Sequence, residues 1–320
     1  MPPRLLDQPS GSRCAGIRAR RGQLALTAWA LLAGAGCVGT PHRPVTVAAG
    51  PPATTKAPAP PAATKATAPR AATKPAPAPT AAGLTKPPAA ANRVRVAVLA
   101  ALGSAPASVD VAVVDLTTGQ HAHLGRATPV RAASLTKLLI YLAAAKASPV
   151  VGPAARTARA MISRSDNDAA TTLWRQAGQD RAVAGVVTAI GMTRTSQVPV
   201  LLEPWDGWMT TAEDQLRLLR HIHAGDVRGA AQLRALMGQV GSDQDWGAGR
   251  VPATTGRIVK NGWLPVARAS WVVNTDGCMT AGNGDAVCVA VTSTGSPTMV
   301  AGVATVQAVA SAAVQAIVVP

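Results

Sequence analysis

The sequence is short of aromatic and acidic side chains. Its 320 residues include no Phe, one Tyr and seven Trp, so a hydrophobic core has to be built mainly from Leu, Val, Ile and Ala. Asp and Glu total 15 against 31 Lys and Arg. The excess of basic residues is unevenly distributed along the chain. Residues 1–92 contain 11 Lys and Arg and one acidic residue, whereas residues 93–320 contain 20 Lys and Arg and 14 Asp and Glu. With few aromatics and no concentrated basic face in its main part, the chain is not predicted to bind nucleic acid.

The N-terminal part has the pattern of an export signal. Arg13, Arg18, Arg20 and Arg21 precede an uncharged apolar run, Leu24 to Ala35, which is too short to span a bilayer as a finished helix. The run ends at Gly36-Cys37, which resembles the end of a bacterial lipobox. We predict a signal peptide at residues 1–36, lipidation at Cys37 and a location on the outer face of the cell membrane. The alternative is a plain cleaved signal, with Cys37 incidental and the protein secreted.

A low-complexity segment follows the predicted lipidation site. Up to residue 92 the chain is rich in Pro, Ala and Thr, carries scattered Lys and Arg, and contains no acid. Such a composition buries too little apolar surface to fold, so residues 37–92 are predicted to be a disordered linker. At ~3.1 Å per residue, about fifty residues reach on the order of 150 Å when extended. The basic side chains would favour anionic wall polymers as partners; the alternative is a solvated spacer.

Residues 93–320 are predicted to form one monomeric α/β domain. Alternating apolar residues, separated by turn residues, indicate five strands, of which the last three form a meander. These strands cover residues 109–115, 121–124, 257–264, 269–279 and 285–292. The predicted sheet is therefore antiparallel, with about five strands, and is flanked by helices.

Helical patterns occur before the first strand, between the second and third strands, and at the end of the domain. Helices are predicted at residues 94–102, 168–177, 182–190 and 211–223. Two more are predicted, one that starts at Ser134 and one that ends near residue 164. Residues 195–209 are predicted to be a loop. The middle helices are predicted to form a small helical subdomain. The apolar stretch 303–318 carries Gln307, Ser311 and Gln315 on one face, so it is predicted to pack on the sheet and not to span a membrane.

Two cysteines flank a hairpin signal near the end of the chain. Cys278 and Cys288 lie at equal distances from the centre of Gly282-Asn283-Gly284, so they should face each other across the hairpin. In an exported protein this predicts a disulfide, and the alternative is two buried thiols. No metal site is predicted, because nothing supplies further ligands to the two histidines of strand 121–124.

One stretch pairs a hydroxyl with an amine at a predicted helix start. Ser134 and Lys137 are three residues apart, so they share a face one turn apart. A lysine that is buried there can be neutral near pH 7 and can accept the hydroxyl proton. The helix N-terminus aims free backbone N–H groups at any oxyanion formed beside it. Alone the pattern is weak, because most Ser-x-x-Lys matches are solvated helix turns.

Two further motifs follow Ser134-x-x-Lys137 in order, namely Ser165-Asp166-Asn167 and Lys260-Asn261-Gly262. Together they resemble the penicillin-recognising serine hydrolases, specifically the class A β-lactamase family and its actinobacterial relatives. The resemblance covers most of residues 93–320. It implies an α/β fold with a small helical subdomain, an active site between the two parts, and no cofactor.

The resemblance also implies a role for each motif residue. Ser134 would be the acylated nucleophile and Lys137 its base. Ser165 would relay a proton to the leaving nitrogen, and Asn167 would hold the substrate amide and the Lys137 amine. Lys260 would supply positive potential for a substrate carboxylate. The backbone N–H groups of Ser134 and Trp263 would form the oxyanion hole, with Asn261 and Gly262 binding substrate.

The sequence departs from this family at three places. The stretch between Lys137 and Ser165 is shorter than in typical class A enzymes. Asn261 stands where lactamases usually carry a Thr or Ser hydroxyl for the substrate carboxylate. Glu203-Pro204 resembles the loop that activates the deacylating water, but the matching Asn is missing. Glu203 is therefore a candidate deacylation base, with Asp206 the weaker candidate, and the alternative is a solvated loop carboxylate.

These motifs predict acyl transfer at an exported serine. The substrates implied by the resemblance are β-lactams or the D-alanyl peptides and esters of the cell wall. A β-lactamase-related hydrolase is preferred over a D-alanyl-D-alanine peptidase. A third interpretation is a lipoprotein whose penicillin-binding-like domain binds wall material without catalysis.

Overall fold

The computed structural model describes residues 89–105 and 107–319. The predicted signal peptide, Cys37 and most of the predicted linker lie outside these residues. Helix α1 covers Ala89–Leu102, so it begins four residues before the predicted domain boundary and five before the predicted helix. The buried side chains of Ala90, Val94 and Val98 explain this early start, because they form one apolar stripe on the helix.

A five-stranded antiparallel sheet forms the centre of the domain. It consists of β1 (Ser108–Asp115), β2 (His121–Leu124), β6 (Thr254–Ala267), β7 (Ser270–Ala281) and β8 (Ala286–Thr294), in the order β2-β1-β8-β7-β6. The number of strands and their antiparallel pairing confirm the predicted fold. A second sheet joins three short strands, β3 (Val130–Arg131), β4 (Ser196–Gln197) and β5 (Trp208–Thr210). The prediction of a plain loop at residues 195–209 was therefore wrong at both ends.

The described residues form seven further α-helices. They are α2 (Thr136–Ala147), α3 (Gly152–Ser163), α4 (Asn167–Ala177), α5 (Gln179–Ile190), α6 (Ala212–Ala224), α7 (Ala230–Met237) and α8 (Met299–Ile317). The sequence analysis missed α7, which is only eight residues long. Glycines at its two ends make the pattern resemble a loop.

Helices α1 and α8 cover one face of the sheet. Val306, Val309, Ala310 and Ala313 of α8 are fully buried against a Val-rich sheet surface. Among the described helices, α8 is the one that is long and apolar enough to cross a membrane by length and composition. Its contacts with α1 and with β1, β7 and β8 make it a core helix, as predicted. Interlocking Val and Ala side chains fill this core without any Phe.

Helix α2 lies at the centre of the other core. Every residue from Thr136 to Ala145 is buried, because α3, α4, α5 and α7 surround the helix. A helix that is covered on all sides needs no polar face, which explains the continuous apolar run after Lys137. Helices α3, α4 and α5 form the predicted helical subdomain, and Ser165 lies in the turn between α3 and α4.

The predicted disulfide is present. Cys278 and Cys288 are directly opposite each other in the β7–β8 ladder and are bonded. Both are buried in the core that faces α2, with His223 of α6 close to the two sulfurs. The histidines of β2 each contact a carboxylate, at 3.1 Å for His121 and Glu213 and at 2.7 Å for His123 and Asp110.

Candidate active site

Ser134 lies in a tight turn that leads into α2. The turn is a 3-10 helix at Ala133–Leu135, and the α-helix begins only at Thr136. The prediction that Ser134 starts the α-helix was therefore off by two residues. Ala133 has a φ of +50°, a left-handed conformation that a non-glycine residue adopts only under constraint. The constraint comes from its neighbours, since Ala132 and Leu135 on both sides of Ala133-Ser134 are fully buried.

Strand β6 runs directly beside this turn. A Cβ atom on Gly262 would lie 3.0 Å from the Ser134 backbone nitrogen and 3.0 Å from the Ala132 carbonyl oxygen. Only glycine allows an approach this close without displacement. Because β6 is an edge strand, some of its N–H groups have no strand partner. This arrangement brings Trp263, the residue after Gly262, next to Ser134, as the predicted oxyanion hole requires.

Lys137 connects the first motif to the second. Its Nζ donates to the Ser165 carbonyl oxygen, to Ser165 Oγ at 3.1 Å and to Asn167 Oδ1 at 2.7 Å. In the described residues no hydrogen bond joins Lys137 to Ser134, although the two lie one turn apart. Catalytic hydrogen bonds often tighten only when substrate is bound. The amine is therefore held in place by Ser165 and Asn167 and not by the serine it is predicted to activate.

The environment of Lys137 favours its neutral form. Burial lowers the pKa of this amine from 10.5 to about 7, while the charges of Asp166 and Glu203 act in the opposite direction. The side chain is 0% exposed, so the ammonium form loses most of its hydration. A substantial fraction of Lys137 is thus neutral at pH 7 and able to accept a proton.

Lys260 of strand β6 also contacts Ser165. Its Nζ donates to Ser165 Oγ at 2.9 Å and to the Asn261 carbonyl oxygen at 2.8 Å. Burial, reinforced by the charge of Lys137, holds the pKa of Lys260 well below its usual range. Ser165 Oγ therefore lies between the two amines, and the residue has a φ of +56°. This position suits a proton relay between Lys137 and a leaving group.

Asp276 lies directly across the β6–β7 ladder from Lys260. The sequence analysis did not identify it. Burial raises the pKa of this carboxyl well above its usual range, against the opposing charge of Lys260. Both side-chain oxygens are buried without a hydrogen-bond partner in the described structure. Asp276 thus faces Lys260 at the base of the site, where burial favours the neutral form of its carboxyl.

The loop that carries Glu203 closes the site from the other side. Glu203 Oε1 accepts a hydrogen bond of 2.8 Å from Asn167 Nδ2. This contact places the candidate deacylation base within the site, not free in solvent. The weaker candidate, Asp206, accepts bonds from the backbone N–H groups of Leu201, Leu202 and Glu203 at 2.7, 2.7 and 3.0 Å. Its carboxylate holds the loop in shape.

A small cavity of about 70 Å³ opens at Ser134. Cavities that enclose a drug-sized ligand usually measure ~300–1,000 Å³, so this cavity can enclose only a small part of such a molecule. A larger cavity, about 590 Å³, lies elsewhere. It is lined by Arg217, Arg220 and His221 of α6 and contains none of the three motifs. We therefore place the chemistry at the smaller cavity.

Comparisons with known proteins agree with this fold. The sequence pattern of the beta-lactamase enzyme family matches residues 145–317, more than half of the chain. The chain belongs to the beta-lactamase enzyme family. The matched segment begins after Ser134 and Lys137, so the first motif rests on the geometry described above. A search of curated proteins finds no match.

Solved structures of beta-lactamases have the same fold as this family member. A class A beta-lactamase from Bacteroides cellulosilyticus superposes with a TM-score of 0.60 at 17% identity, covering 71% of this chain and 98% of its own. A beta-lactamase from Sphaerobacter thermophilus gives 0.58 at 22% identity, with 72% and 98% covered. One from Burkholderia vietnamiensis gives 0.60 at 20% identity, with 69% and 95% covered. At these identities the likeness concerns the fold alone.

Within this beta-lactamase fold, Asn261 does not fill its predicted role. Its Nδ2 donates to the carbonyl oxygens of Gln244 and Trp246 at 2.8 and 3.1 Å, and its side chain is buried. Asn261 therefore fastens the segment 244–246 to the edge strand, and it does not line the cavity at Ser134. The alternating direction of side chains along β6 turns it away from the face that carries Lys260.

Trp205 is a site residue that the sequence analysis missed. Its ring centroid lies 4.8 Å from Lys137 Nζ, within the range of a cation–π contact. The ring is buried, and its Nε1 donates to Thr171 Oγ1 of α4 at 3.1 Å. Trp205 thus fastens the loop to the helical subdomain and covers the amine. The one sequence signal for it was its position two residues after Glu203.

Proposed function

We propose that this member of the beta-lactamase enzyme family is a serine hydrolase in which Ser134 forms an acyl-enzyme. The observation that carries the proposal is the position of Lys137. It is a fully buried amine with a pKa lowered to about 7, one turn from Ser134 and fixed by Ser165 and Asn167. An amine with this pKa is a suitable general base near neutral pH.

The proposed reaction follows from these positions. Neutral Lys137 accepts the Ser134 proton as Oγ attacks the substrate carbonyl carbon, and a new C–O bond forms. The backbone N–H groups of Ser134 and Trp263 stabilise the negative charge on the carbonyl oxygen. The bond to the leaving nitrogen or oxygen then breaks, and Lys137 returns the proton to that atom through Ser165. Water hydrolyses the ester and regenerates Ser134.

The substrate classes that the resemblance implies are β-lactams and the D-alanyl peptides or esters of the cell wall. The β-lactam amide is strained, the ester is more reactive than an amide, and the peptide is an ordinary amide; each presents an acyl carbonyl to the serine. The proposed enzyme needs no cofactor for this chemistry. The competing interpretation is a binding domain that holds wall material without forming a covalent bond.

Covalent labelling tests the proposal. The full chain is incubated with a fluorescent penicillin or an acyl-D-alanine ester, and the labelled peptide is identified by mass spectrometry. Wild-type protein should gain one acyl group at Ser134, and Ser134→Ala should gain none. Ser270→Ala, at the start of β7, is the matched control and should label normally. If wild-type protein is never labelled by any of these compounds, the binding-domain interpretation replaces the enzyme.

We also propose that the protein is exported and held at the membrane by a lipid on Cys37. The support is the order of basic residues, short apolar run and Gly36-Cys37 in the sequence. Cys37→Ser should move the protein from the membrane fraction to the soluble exported fraction. A mature N-terminus at any residue other than Cys37 would refute lipidation and leave export intact.

A further inference from the structure

A groove lies between α2, α3 and α7. Two neighbouring cavities of about 410 and 240 Å³ form it, and they share Tyr141, Val150 and Gln232 in their walls. Among the described residues that line these cavities, none belongs to the three motifs or to the Glu203 loop. The larger volume lies within the ~300–1,000 Å³ that is usual for small-molecule sites. The groove is therefore large enough to hold a ligand apart from the candidate active site.

Close packing between α2 and the start of α7 fixes one wall of the groove. Gly229 immediately precedes α7 and has a φ of +87°. A Cβ atom on Gly229 would lie 2.5 Å from Ala145 Cβ and 3.3 Å from Tyr141 Cε1. Only glycine combines this backbone conformation with this close approach. The wall is thus part of the packed fold.

Tyr141 of α2 provides a hydrogen-bond donor to the groove. It is the one Tyr of the chain and is 2% exposed. Its hydroxyl makes no hydrogen bond within the described residues, and burial alone raises the pKa of Tyr141. The hydroxyl therefore keeps its proton at neutral pH and can donate it. A buried Tyr O–H usually has a partner, and the groove is the open space that could hold one.

The charge of the groove is positive. Arg156 and Arg159 of α3 line the larger cavity and Arg228 lines the smaller one, whereas no Asp or Glu of the described residues lines either. Arg159 donates to Gln239 Oε1. Arg156 and Arg228 make no hydrogen bond or ion pair within the described part of the chain. Guanidinium groups stay charged at all working pH values and match a carboxylate in shape. These charges favour an anionic ligand.

Apolar side chains form much of the remaining wall. Val150 and Leu236 are partly buried against the core, and Val151, at the end of the groove, is 67% exposed. Such a wall gives contact area to an aliphatic chain. The N-terminal part of this protein is a poor match for the groove by charge, because residues 1–92 contain 11 Lys and Arg and one acidic residue. A separate, anionic molecule fits better.

We propose that the groove binds a small amphipathic anion, namely an aliphatic chain that ends in a carboxylate. The carboxylate accepts a hydrogen bond from the Tyr141 hydroxyl and is balanced by the arginines of α3. The aliphatic chain lies against Val150 and Leu236. This site is additional to Ser134 and does not depend on the proposed hydrolase.

Octanoate is the probe for the test, and octylammonium, with a similar chain and the opposite charge, is its control. Because Tyr141 is the only tyrosine, isotopic labelling of tyrosine gives the full chain one ring signal in the NMR spectrum. Octanoate should shift this signal in a saturable manner, and octylammonium should bind at least about fivefold more weakly. A signal that octanoate does not move, or that octylammonium moves equally well, would overturn the inference.

The double variant Arg156→Gln/Arg159→Gln tests the source of the preference. It should weaken octanoate binding about fivefold, because two exposed charges are lost. Arg268→Gln, the same change in the β6–β7 turn, should leave the affinity unchanged. An unchanged affinity in the double variant would contradict recognition of the anion by α3. Ser134→Ala should bind octanoate like the wild type even though it cannot be acylated. Loss of octanoate binding in Ser134→Ala would place the ligand at the active site and overturn the proposal.

Discussion

The side-chain amide of Asn167 joins Lys137 to Glu203. Its Oδ1 accepts from Lys137 Nζ at 2.7 Å, and its Nδ2 donates to Glu203 Oε1 at 2.8 Å. The amide orientation is therefore determined by a donor on one side and an acceptor on the other. The predicted base for acylation and the candidate base for deacylation share one positioning residue, so a change at either is expected to affect the other.

Deacylation is expected to be the slow step. One Glu203 oxygen already accepts a hydrogen bond from Asn167. The loop lacks the Asn that would hold a hydrolytic water together with Glu203, and Trp205 and Asp206 follow instead. A well-placed base accelerates a reaction by ~10²–10⁴-fold, and its absence leaves a long-lived acyl-enzyme. A chromogenic cephalosporin should give a burst of product equal to the enzyme concentration, followed by slow turnover that Glu203→Gln barely alters.

The opposite kinetic result would identify Glu203 as a working base. Fast steady-state hydrolysis that collapses in Glu203→Gln, with the burst retained, would show that the loop activates water. Asn167→Ala is informative in both cases. It removes the link between Lys137 and Glu203 and should slow acylation ~5–100-fold, because a hydrogen bond to a charged group contributes about 1–3 kcal/mol.

Acylation should become faster as pH rises through 7. Lys137 must be neutral to accept the Ser134 proton, and its pKa is about 7. Below that value the neutral fraction falls about tenfold per pH unit, and above it the rate should level off. The acylation rate is measured between pH 5 and 9 with a substrate that has no titratable group. A rate that does not change across this range would exclude Lys137 as the base.

Trp205 is expected to set the pH midpoint of that profile. The ring stabilises the charged form of Lys137 through the cation–π contact at 4.8 Å. Trp205→Leu keeps the site apolar but removes the ring face, which should lower the Lys137 pKa and move the midpoint about one pH unit downward. Trp205→Phe keeps a ring and loses only the bond to Thr171, so its midpoint should stay near 7. Equal midpoints in all three proteins would limit Trp205 to a packing role.

The Cys278–Cys288 bond is expected to stabilise the fold but not to take part in catalysis. It closes a hairpin with a sequence separation of 10, for which chain entropy gives a contribution of about 2–3 kcal/mol. The free energy of unfolding in urea should fall by this amount in the Cys278→Ala/Cys288→Ala variant, with acylation unchanged. Reduction of the wild-type protein should match the variant when EDTA is present, because His223 and two thiols could otherwise bind a metal ion. An unchanged unfolding midpoint would contradict the prediction.

The sequence alone determined the fold class. Strand alternation and the hairpin around Asn283 are local patterns, and the structure confirms the sheet and the disulfide that they predicted. The order of the three motifs predicted Ser134, Lys137, Ser165 and Lys260 as site residues, and the structure brings Lys137 and Lys260 together at Ser165. Element boundaries were off by a few residues, because helix ends depend on packing that no short window of sequence contains.

Side-chain direction and partner choice were decided by the tertiary structure. Asn261 occupies a motif position but points away from the cavity, since its direction follows from the alternation along an edge strand. Asp276 faces Lys260 only because β6 and β7 pair in one register. Trp205 covers Lys137 only because the loop and α2, 68 residues apart in sequence, are packed together. These contacts decide which charges the site presents to a substrate, and they depend on distances between residues that are remote in the chain.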